Sequence, residues 1–81
     1  MNAPEPHVLI VDDNREIRDV LSRYLRTNGY RATTAESAAA ARRILKTNAI
    51  DLAVLDVMMP GEDGLNLTRS IRAESALPII M

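Results

Sequence analysis

The chain has 81 residues, the size of one small domain, which leaves little room for a large active site built from several parts. Hydrophobic residues make up 47% of it and charged residues 26%, a composition typical of folded globular proteins rather than of disordered chains. Ten basic residues against eleven acidic ones leave a net charge of −1, so we expect no direct binding to nucleic acid or to anionic lipid.

The amino terminus carries no targeting pattern. Residues 1–6 contain two prolines and no basic cluster, which predicts a disordered lead-in to a domain over residues 7–81. The apolar run that follows, residues 8–11, is too short for a signal-peptide core or a membrane span. We therefore expect a cytoplasmic protein without a membrane partner. Since the chain has no cysteine, disulfides and thiolate metal sites are excluded.

A strand and a helix are predicted first. Residues 8–11 are continuously apolar and are followed by Asp12 and Asp13, the pattern of a strand buried on both faces of a parallel sheet. Between residues 14 and 28 apolar residues recur with helical spacing, and Gly29 follows as a helix stop. Those apolar residues are Ile17, Val20, Leu21, Tyr24 and Leu25. The arginines expected on the solvated face of this helix are Arg15, Arg18, Arg23 and Arg26.

The rest of the chain repeats this alternation of strands and helices. It predicts a strand over residues 30–35, a helix from Ser37 to about Asn48, a strand over residues 52–57, a short helix with Leu65, Leu67 and Ile71 on its apolar side, and a strand that begins at Pro78. Strands that alternate with helices favour a doubly wound α/β fold, in which the strands are parallel and the crossovers right-handed.

Acidic side chains stand at the ends of two predicted buried strands. Asp12 and Asp13 follow the first, and Asp56 nearly ends the third. If these strands are parallel neighbours, all three carboxylates converge on the edge where such sheets bind ligands. Oxygen ligands favour Mg²⁺ or Ca²⁺ over Zn²⁺, and a hydrated Mg²⁺ that serves phosphate chemistry fits best. We expect the side chains of Met58 and Met59 to pack, while a backbone carbonyl just after Asp56 is available to the metal.

Simpler interpretations of the same residues stay open. Asp13 with Glu16 three residues later has the pattern of a helix-capping box. Asp56 is also compatible with a strand-end carboxylate that is satisfied by backbone donors. We expect His7 to be exposed at the start of the first strand, opposite the acidic edge.

Three stretches together carry a family resemblance. They are Val-Leu-Ile-Val-Asp-Asp-Asn at residues 8–14, Asp-Val-Met-Met-Pro-Gly-Glu-Asp-Gly at residues 56–64 and Pro-Ile-Ile-Met at residues 78–81. In sequence and spacing they resemble the receiver domain of two-component response regulators. The match spans nearly the whole chain. The stretch Pro-Gly-Glu-Asp-Gly-Leu at residues 60–65 is most similar to receivers that are attached to winged-helix DNA-binding domains.

The resemblance implies a flavodoxin-like sheet of order 2-1-3-4-5 and a phosphoacceptor function. It implies that Asp56 takes a phosphoryl group from the phosphohistidine of a sensor histidine kinase. It further implies a Mg²⁺ site in which Asp13 binds the metal directly, Asp12 binds directly or through water, and Asp56 and the backbone carbonyl of Met58 are further ligands. We therefore expect a signalling module rather than an enzyme, with a C-terminal DNA-binding output domain in a longer protein.

The chain departs from the family pattern at its carboxyl end. Receivers run to about 120 residues, an ordinary domain size, and have a Ser or Thr at the end of the fourth strand and a Lys at the end of the fifth. This chain ends within the predicted fourth strand, and Lys46 lies in the second helix, where it does not match that Lys. We expect a receiver truncated after the start of the fourth strand, with an apolar edge that favours self-association of the fragment.

Two rival functions are disfavoured by the residues present. A receiver relative that serves only for interaction would usually lack the acceptor or the acidic pair, and this chain has both. A Mg²⁺-dependent phosphatase with an aspartyl nucleophile, like the haloacid-dehalogenase-like enzymes, has Asp-x-Asp at the nucleophile strand. Here Met58 stands two residues after Asp56.

Overall fold

A computed structural model describes residues 5–56 and 64–80. Strands and helices alternate along these two ranges in the predicted order. They are β1 (His7–Val11), α1 (Arg15–Thr27), β2 (Arg31–Ala35), α2 (Ala38–Thr47), β3 (Leu52–Leu55), α3 (Gly64–Glu74) and β4 (Ile79–Ile80). None of the helices within the described ranges is long and apolar enough to cross a membrane.

The strands form one parallel sheet of order β2-β1-β3-β4. Val11, the last residue of β1, lies opposite Ala35 of β2 and Leu55 of β3, so three strands end level with one another. The sheet confirms the predicted α/β class, and its order agrees with the first four strands of the flavodoxin-like arrangement. Because the chain leaves β1 toward β2 on one side and later enters β3 on the other, the strand order reverses between β1 and β3, where parallel sheets form a crevice.

Helices cover the two faces of this sheet unequally. All five residues of β1 are buried, and they alternate between the faces because successive side chains of a strand point to opposite sides. Leu9 and Val11 belong to the larger apolar cluster, which includes residues of α2 and α3. Val8 and Ile10 belong to the smaller one, beside Leu21 and Leu25 of α1. Burial on both faces explains why the sequence of β1 is continuously apolar.

The capping interpretation of Asp13 is wrong. The N-cap of α1 is Asn14, whose side-chain oxygen accepts hydrogen bonds from the amides of Glu16 at 2.9 Å and Ile17 at 3.2 Å. Asn is among the strongest N-cap residues, and at this position its oxygen reaches the second and third helical amides. Asp13 is consequently left out of the helix cap. At the other end the predicted stop is confirmed, since Gly29 has a φ of 87°, a conformation that glycine adopts without strain.

The apolar side of α1 is only partly buried. Leu21 and Leu25 pack against the sheet, whereas Ile17, Val20 and Tyr24 are 44%, 60% and 65% exposed. Helical periodicity predicts which residues share a side, but one helix lying on a sheet buries only a narrow stripe of that side. The remaining apolar residues of α1 stay partly exposed in the described part of the chain.

The second and third helices follow the sequence closely. Ser37 begins α2 as predicted, because its Oγ accepts a hydrogen bond from the amide of Ala40 at 3.1 Å. In α3, Leu67 and Ile71 are buried in the larger core cluster, while Leu65 is 45% exposed. The predicted apolar side of α3 is thus confirmed at its centre and not at its first turn.

His7 is buried, which contradicts the expectation that it is exposed. Its Nε2 and the Oγ1 of Thr33 on β2 are 2.6 Å apart and share a hydrogen bond. Its amide donates to the carboxylate of Asp51 at 2.7 Å, and its carbonyl accepts from the amide of Asp51 at 2.8 Å. These bonds join the start of β1 to the middle of β2 and to the residue that precedes β3, on the side of the sheet away from the acidic residues.

Candidate functional site

The three predicted acidic residues meet at the carboxyl edge of the sheet. Asp12 follows β1 and Asp56 follows β3, one step beyond the opposed pair Val11 and Leu55. The amide of Asp56 donates to the carbonyl of Val11 at 2.8 Å, which extends the β1–β3 pairing to the site. One carboxylate oxygen from each of Asp12, Asp13 and Asp56 lies within 4.8 Å of those of the other two. The convergence expected from the strand ends is therefore present.

The cluster is open on one side. Asp12 and Asp56 are half-buried and Asp13 is exposed. No hydrogen bond to the carboxylate of Asp13 is made by any residue in the described ranges. A site with two half-buried acids and one exposed acid is reachable from solvent while its base rests on rigid strands.

Asp12 is held at three of its polar groups. Its amide donates to the carbonyl of Ala35 at 3.1 Å, and its Oδ1 accepts from the amide of Asn14 at 2.8 Å. Its carbonyl oxygen accepts from Nη1 of Arg18 at 2.8 Å. The bend between β1 and α1 is thus fixed from β2, from the helix cap and from the first turn of α1.

The donor set of the cluster fits a hard divalent cation. Carboxylates this close repel one another, by about 1 kcal/mol per pair at 4 Å in water and by about 4 kcal/mol at the effective dielectric constant near a protein surface. A bound cation removes that repulsion. Since the described cluster offers only carboxylate oxygens, Asp12, Asp13 and Asp56 suit Mg²⁺, which prefers oxygen ligands and retains water. The expected further ligand, the backbone carbonyl of Met58, lies outside the described residues.

The sequence patterns did not indicate the roles of two residues at the site. Asn14 was given no role, and Arg18 was expected on the solvated face of α1. Asn14 caps α1 and donates to Asp12, and its position just before a helix was the available signal. Arg18 is instead half-buried and contacts Asp12. Arg15, by contrast, is exposed as expected and pairs with Asp19 at 3.7 Å. Helical spacing alone does not distinguish these two arginines, because the difference arises from a contact with the end of β1.

The chain belongs to the family of response regulator receiver domains. The family's model matches residues 8–81, which include the acidic cluster, β1 from its second residue, and β2, β3 and β4. A parallel sheet with the observed strand order and an acidic site beyond β1 and β3 agree with that membership.

Curated relatives include transcriptional regulators. Protein PetR of Rhodobacter capsulatus is 52% identical over 81 residues, which are 100% of this chain and 34% of the relative. The probable transcriptional regulator ycf27 of Cyanidium caldarium is 46% identical over 80 residues, covering 99% of this chain and 32% of the relative. The chain thus spans about a third of the length of these relatives.

Solved structures of receivers superpose closely on the chain. A response regulator receiver protein from Pseudomonas putida has a TM-score of 0.90 at 42% identity, with 96% of this chain and 67% of that chain covered. The regulator TrrA of Thermotoga maritima, in complex with Mg(2+)-BeF, has a TM-score of 0.82 at 36% identity, with coverage of 85% and 60%. The crystal structure of the histidine kinase ThkA in complex with TrrA contains a chain that superposes on this one with a TM-score of 0.85 at 35% identity. The superposition covers 91% of this chain and 65% of that chain.

Proposed function

We propose that Asp56 of this receiver accepts a phosphoryl group from the phosphohistidine of a sensor histidine kinase. The chain then acts as a signalling module rather than as an enzyme on a free substrate. The observation that carries the proposal is the meeting of Asp12, Asp13 and Asp56 within 4.8 Å, with Asp56 bonded through its amide to β1. An interaction-only module would have no need of three carboxylates held at such close range.

The transfer is a displacement at phosphorus. A carboxylate oxygen of Asp56 forms the new P–O bond while the P–N bond to the donor imidazole breaks. The electron pair of that bond returns to the imidazole nitrogen, which takes a proton from solvent, and Asp56 becomes an acyl phosphate. Because phosphoryl transfer depends mainly on positioning and on charge stabilisation, the rigid attachment of Asp56 to the sheet is the contribution of the fold.

Asp12 and Asp13 would hold Mg²⁺ beside the acceptor. When bound, the metal neutralises charge that develops on the oxygens of the transferring group. The residues of this chain orient that site: Asn14 and Arg18 hold Asp12, and the exposed position of Asp13 leaves its carboxylate open to the donor side. The complex of TrrA with Mg(2+)-BeF supports this assignment by similarity.

The proposed partners are a sensor histidine kinase and an output domain in the same protein. The complex of TrrA with a histidine kinase supports the first. Relatives named as transcriptional regulators, of which this chain covers about a third, support a C-terminal DNA-binding domain as the second. Direct nucleic-acid binding by this segment is not proposed, since its net charge is −1.

Labelling of the full-length protein that carries this chain tests the proposal. With a radiolabelled phosphodonor and MgCl₂, we expect hydroxylamine-sensitive incorporation that is lost in Asp56→Asn. Asp51→Asn is the matched control, because Asp51 precedes the same strand at the opposite edge of the sheet and asparagine can still accept from the amide of His7. Equal incorporation in Asp56→Asn and wild type would exclude Asp56 as the acceptor.

A further inference from the structure

We infer that Arg18 is a positioning residue of the acidic site and that it acts by holding the peptide between Asp12 and Asp13. This inference rests on the proposed function, since the site that Arg18 serves is the one proposed to bind Mg²⁺. The observation behind it is the 2.8 Å hydrogen bond from Nη1 of Arg18 to the carbonyl oxygen of Asp12. The contact joins the first turn of α1 to the residue that directly follows β1.

The bond controls more than the carbonyl that it touches. The carbonyl of Asp12 and the amide of Asp13 belong to one planar peptide unit, so fixing one also fixes the direction in which the chain leaves toward Asp13. Asp12 has further restraints from Ala35 and Asn14. Within the described ranges, the carboxylate of Asp13 has no hydrogen-bond partner, so the placement of that carboxylate depends on its backbone.

The environment of Arg18 makes the bond effective. Arg18 and Asp12 are both half-buried, and a carbonyl that is partly shielded from water is destabilising when it has no hydrogen-bond donor. Within the described ranges Arg18 makes no ion pair with Asp12, Asp13 or Asp56, so it contacts the site through the main chain of Asp12. Outer groups that orient metal ligands in this way affect metal affinity although they do not touch the metal.

A positioning role and a purely electrostatic role of Arg18 predict opposite changes in Mg²⁺ affinity when Arg18 is replaced. If Arg18 influenced the site only through its positive charge, its removal would strengthen Mg²⁺ binding, because like charges repel. If Arg18 positions the two aspartates, its removal weakens Mg²⁺ binding. Replacing Arg15 distinguishes the two roles further, because it removes a positive charge from the same helix without removing a contact to Asp12. Arg15 lies at the start of α1, its side chain is 85% exposed, and it forms an ion pair with Asp19.

The test is a calorimetric titration of MgCl₂ into the full-length protein that carries this chain. We expect Arg18→Met to weaken Mg²⁺ affinity roughly tenfold, as is typical when an outer partner of a metal ligand is lost. Arg18→Lys retains a cationic donor and should recover part of the affinity. Arg15→Met, the matched control, should stay within about twofold of wild type because an exposed charge is screened. Circular dichroism without metal checks that each variant is folded.

Unchanged or tighter binding by Arg18→Met overturns the inference, as does an equal loss in Arg15→Met. If Arg18→Met does not fold, Arg18→Lys decides between the two outcomes. A Mg²⁺ affinity that is measurable but weaker than that of the wild type supports positioning, and an affinity equal to that of the wild type overturns it. Failure of the proposed function is seen separately, as absence of labelling on Asp56 in the wild type. If the wild type binds no Mg²⁺, both the inference and the proposed metal site are wrong.

Discussion

The amide of Asp56 donates a 2.8 Å hydrogen bond to the carbonyl of Val11. The bond extends the pairing of β1 with β3 one step past Leu55, so Asp56 is attached to the centre of the sheet. Since Asp12 directly follows Val11, the same bond sets the spacing between two of the three carboxylates. Because this bond is made by the main chain, we expect Asp56 to keep its position when the side chain of Asp12 or Asp13 is changed, so that their contributions can be measured one at a time.

Loss of Asp13 should weaken metal binding without weakening the fold. In Asp13→Ala of the full-length protein we expect Mg²⁺ affinity to fall by about tenfold or more. Metal-free stability should stay level or rise slightly, because the change relieves repulsion in the cluster and Asp13 does not cap α1. Thermal melts with and without MgCl₂ measure both effects, since a ligand of the native state raises the melting temperature. A large drop in the metal-free melting temperature would contradict this account.

Loss of the N-cap residue of α1, Asn14, should weaken the fold, in contrast to loss of Asp13. Asn14→Ala removes the acceptor of two helix amides, those of Glu16 and Ile17, and should lower the free energy of unfolding by about 1 kcal/mol. Asn14→Ser keeps a capping oxygen and should restore most of the loss. Urea unfolding of the metal-free protein measures both variants, with Asp13→Ala as the neighbouring control. If Asp13→Ala is the more destabilising of the two alanine variants, the cap has been assigned to the wrong residue.

The buried ring of His7 predicts an unequal response of two adjacent threonines. Thr33→Val keeps the shape of the side chain but removes the hydroxyl bonded to Nε2 of His7, and should destabilise the protein by about 1–3 kcal/mol. Thr34→Val is the matched control, because Thr34 is also half-buried on β2 but points to the other face of the sheet. Its effect should be under about 0.5 kcal/mol. Equal losses in urea unfolding would show that the bond to His7 contributes nothing measurable.

The contrast between β1 and His7 shows where sequence patterns are informative. A continuous apolar run predicted β1 because burial on both faces leaves no polar alternation, and acidic residues after two such runs predicted where the site lies. The buried ring of His7 has its hydrogen-bond partner in Thr33, which is 26 positions away, and no local pattern carries that information. The contact of Arg18 with Asp12 is missed for the same reason. Helical spacing indicates that Arg18 is on a polar side, but not that the end of β1 lies within its reach.

The exposed apolar edge at β4 leads to a prediction about the 81-residue chain when it is expressed alone. Val54 and Ile80 are neighbours on the same face as α1, and Ile80 is 54% exposed. In the described ranges β4 pairs only with β3, so its outer side offers unpaired backbone groups at an apolar edge. Burial of roughly 300 Å² of apolar surface contributes about 7.5 kcal/mol, which is within the range of the whole stability of a small domain, about 5–15 kcal/mol.

We therefore expect the isolated 81-residue chain to self-associate as its concentration rises. Size exclusion with light scattering should give a mass above that of the monomer, and the excess should grow with loading concentration. Ile80→Lys places a charge on the edge strand and should shift the chain toward the monomer, because edge lysines oppose strand pairing between molecules. Leu65→Lys, at an exposed position on α3, is the control for added charge elsewhere and should change the mass less. A monomer that unfolds cooperatively at every concentration would show that the exposed edge is compatible with a stable, solitary chain.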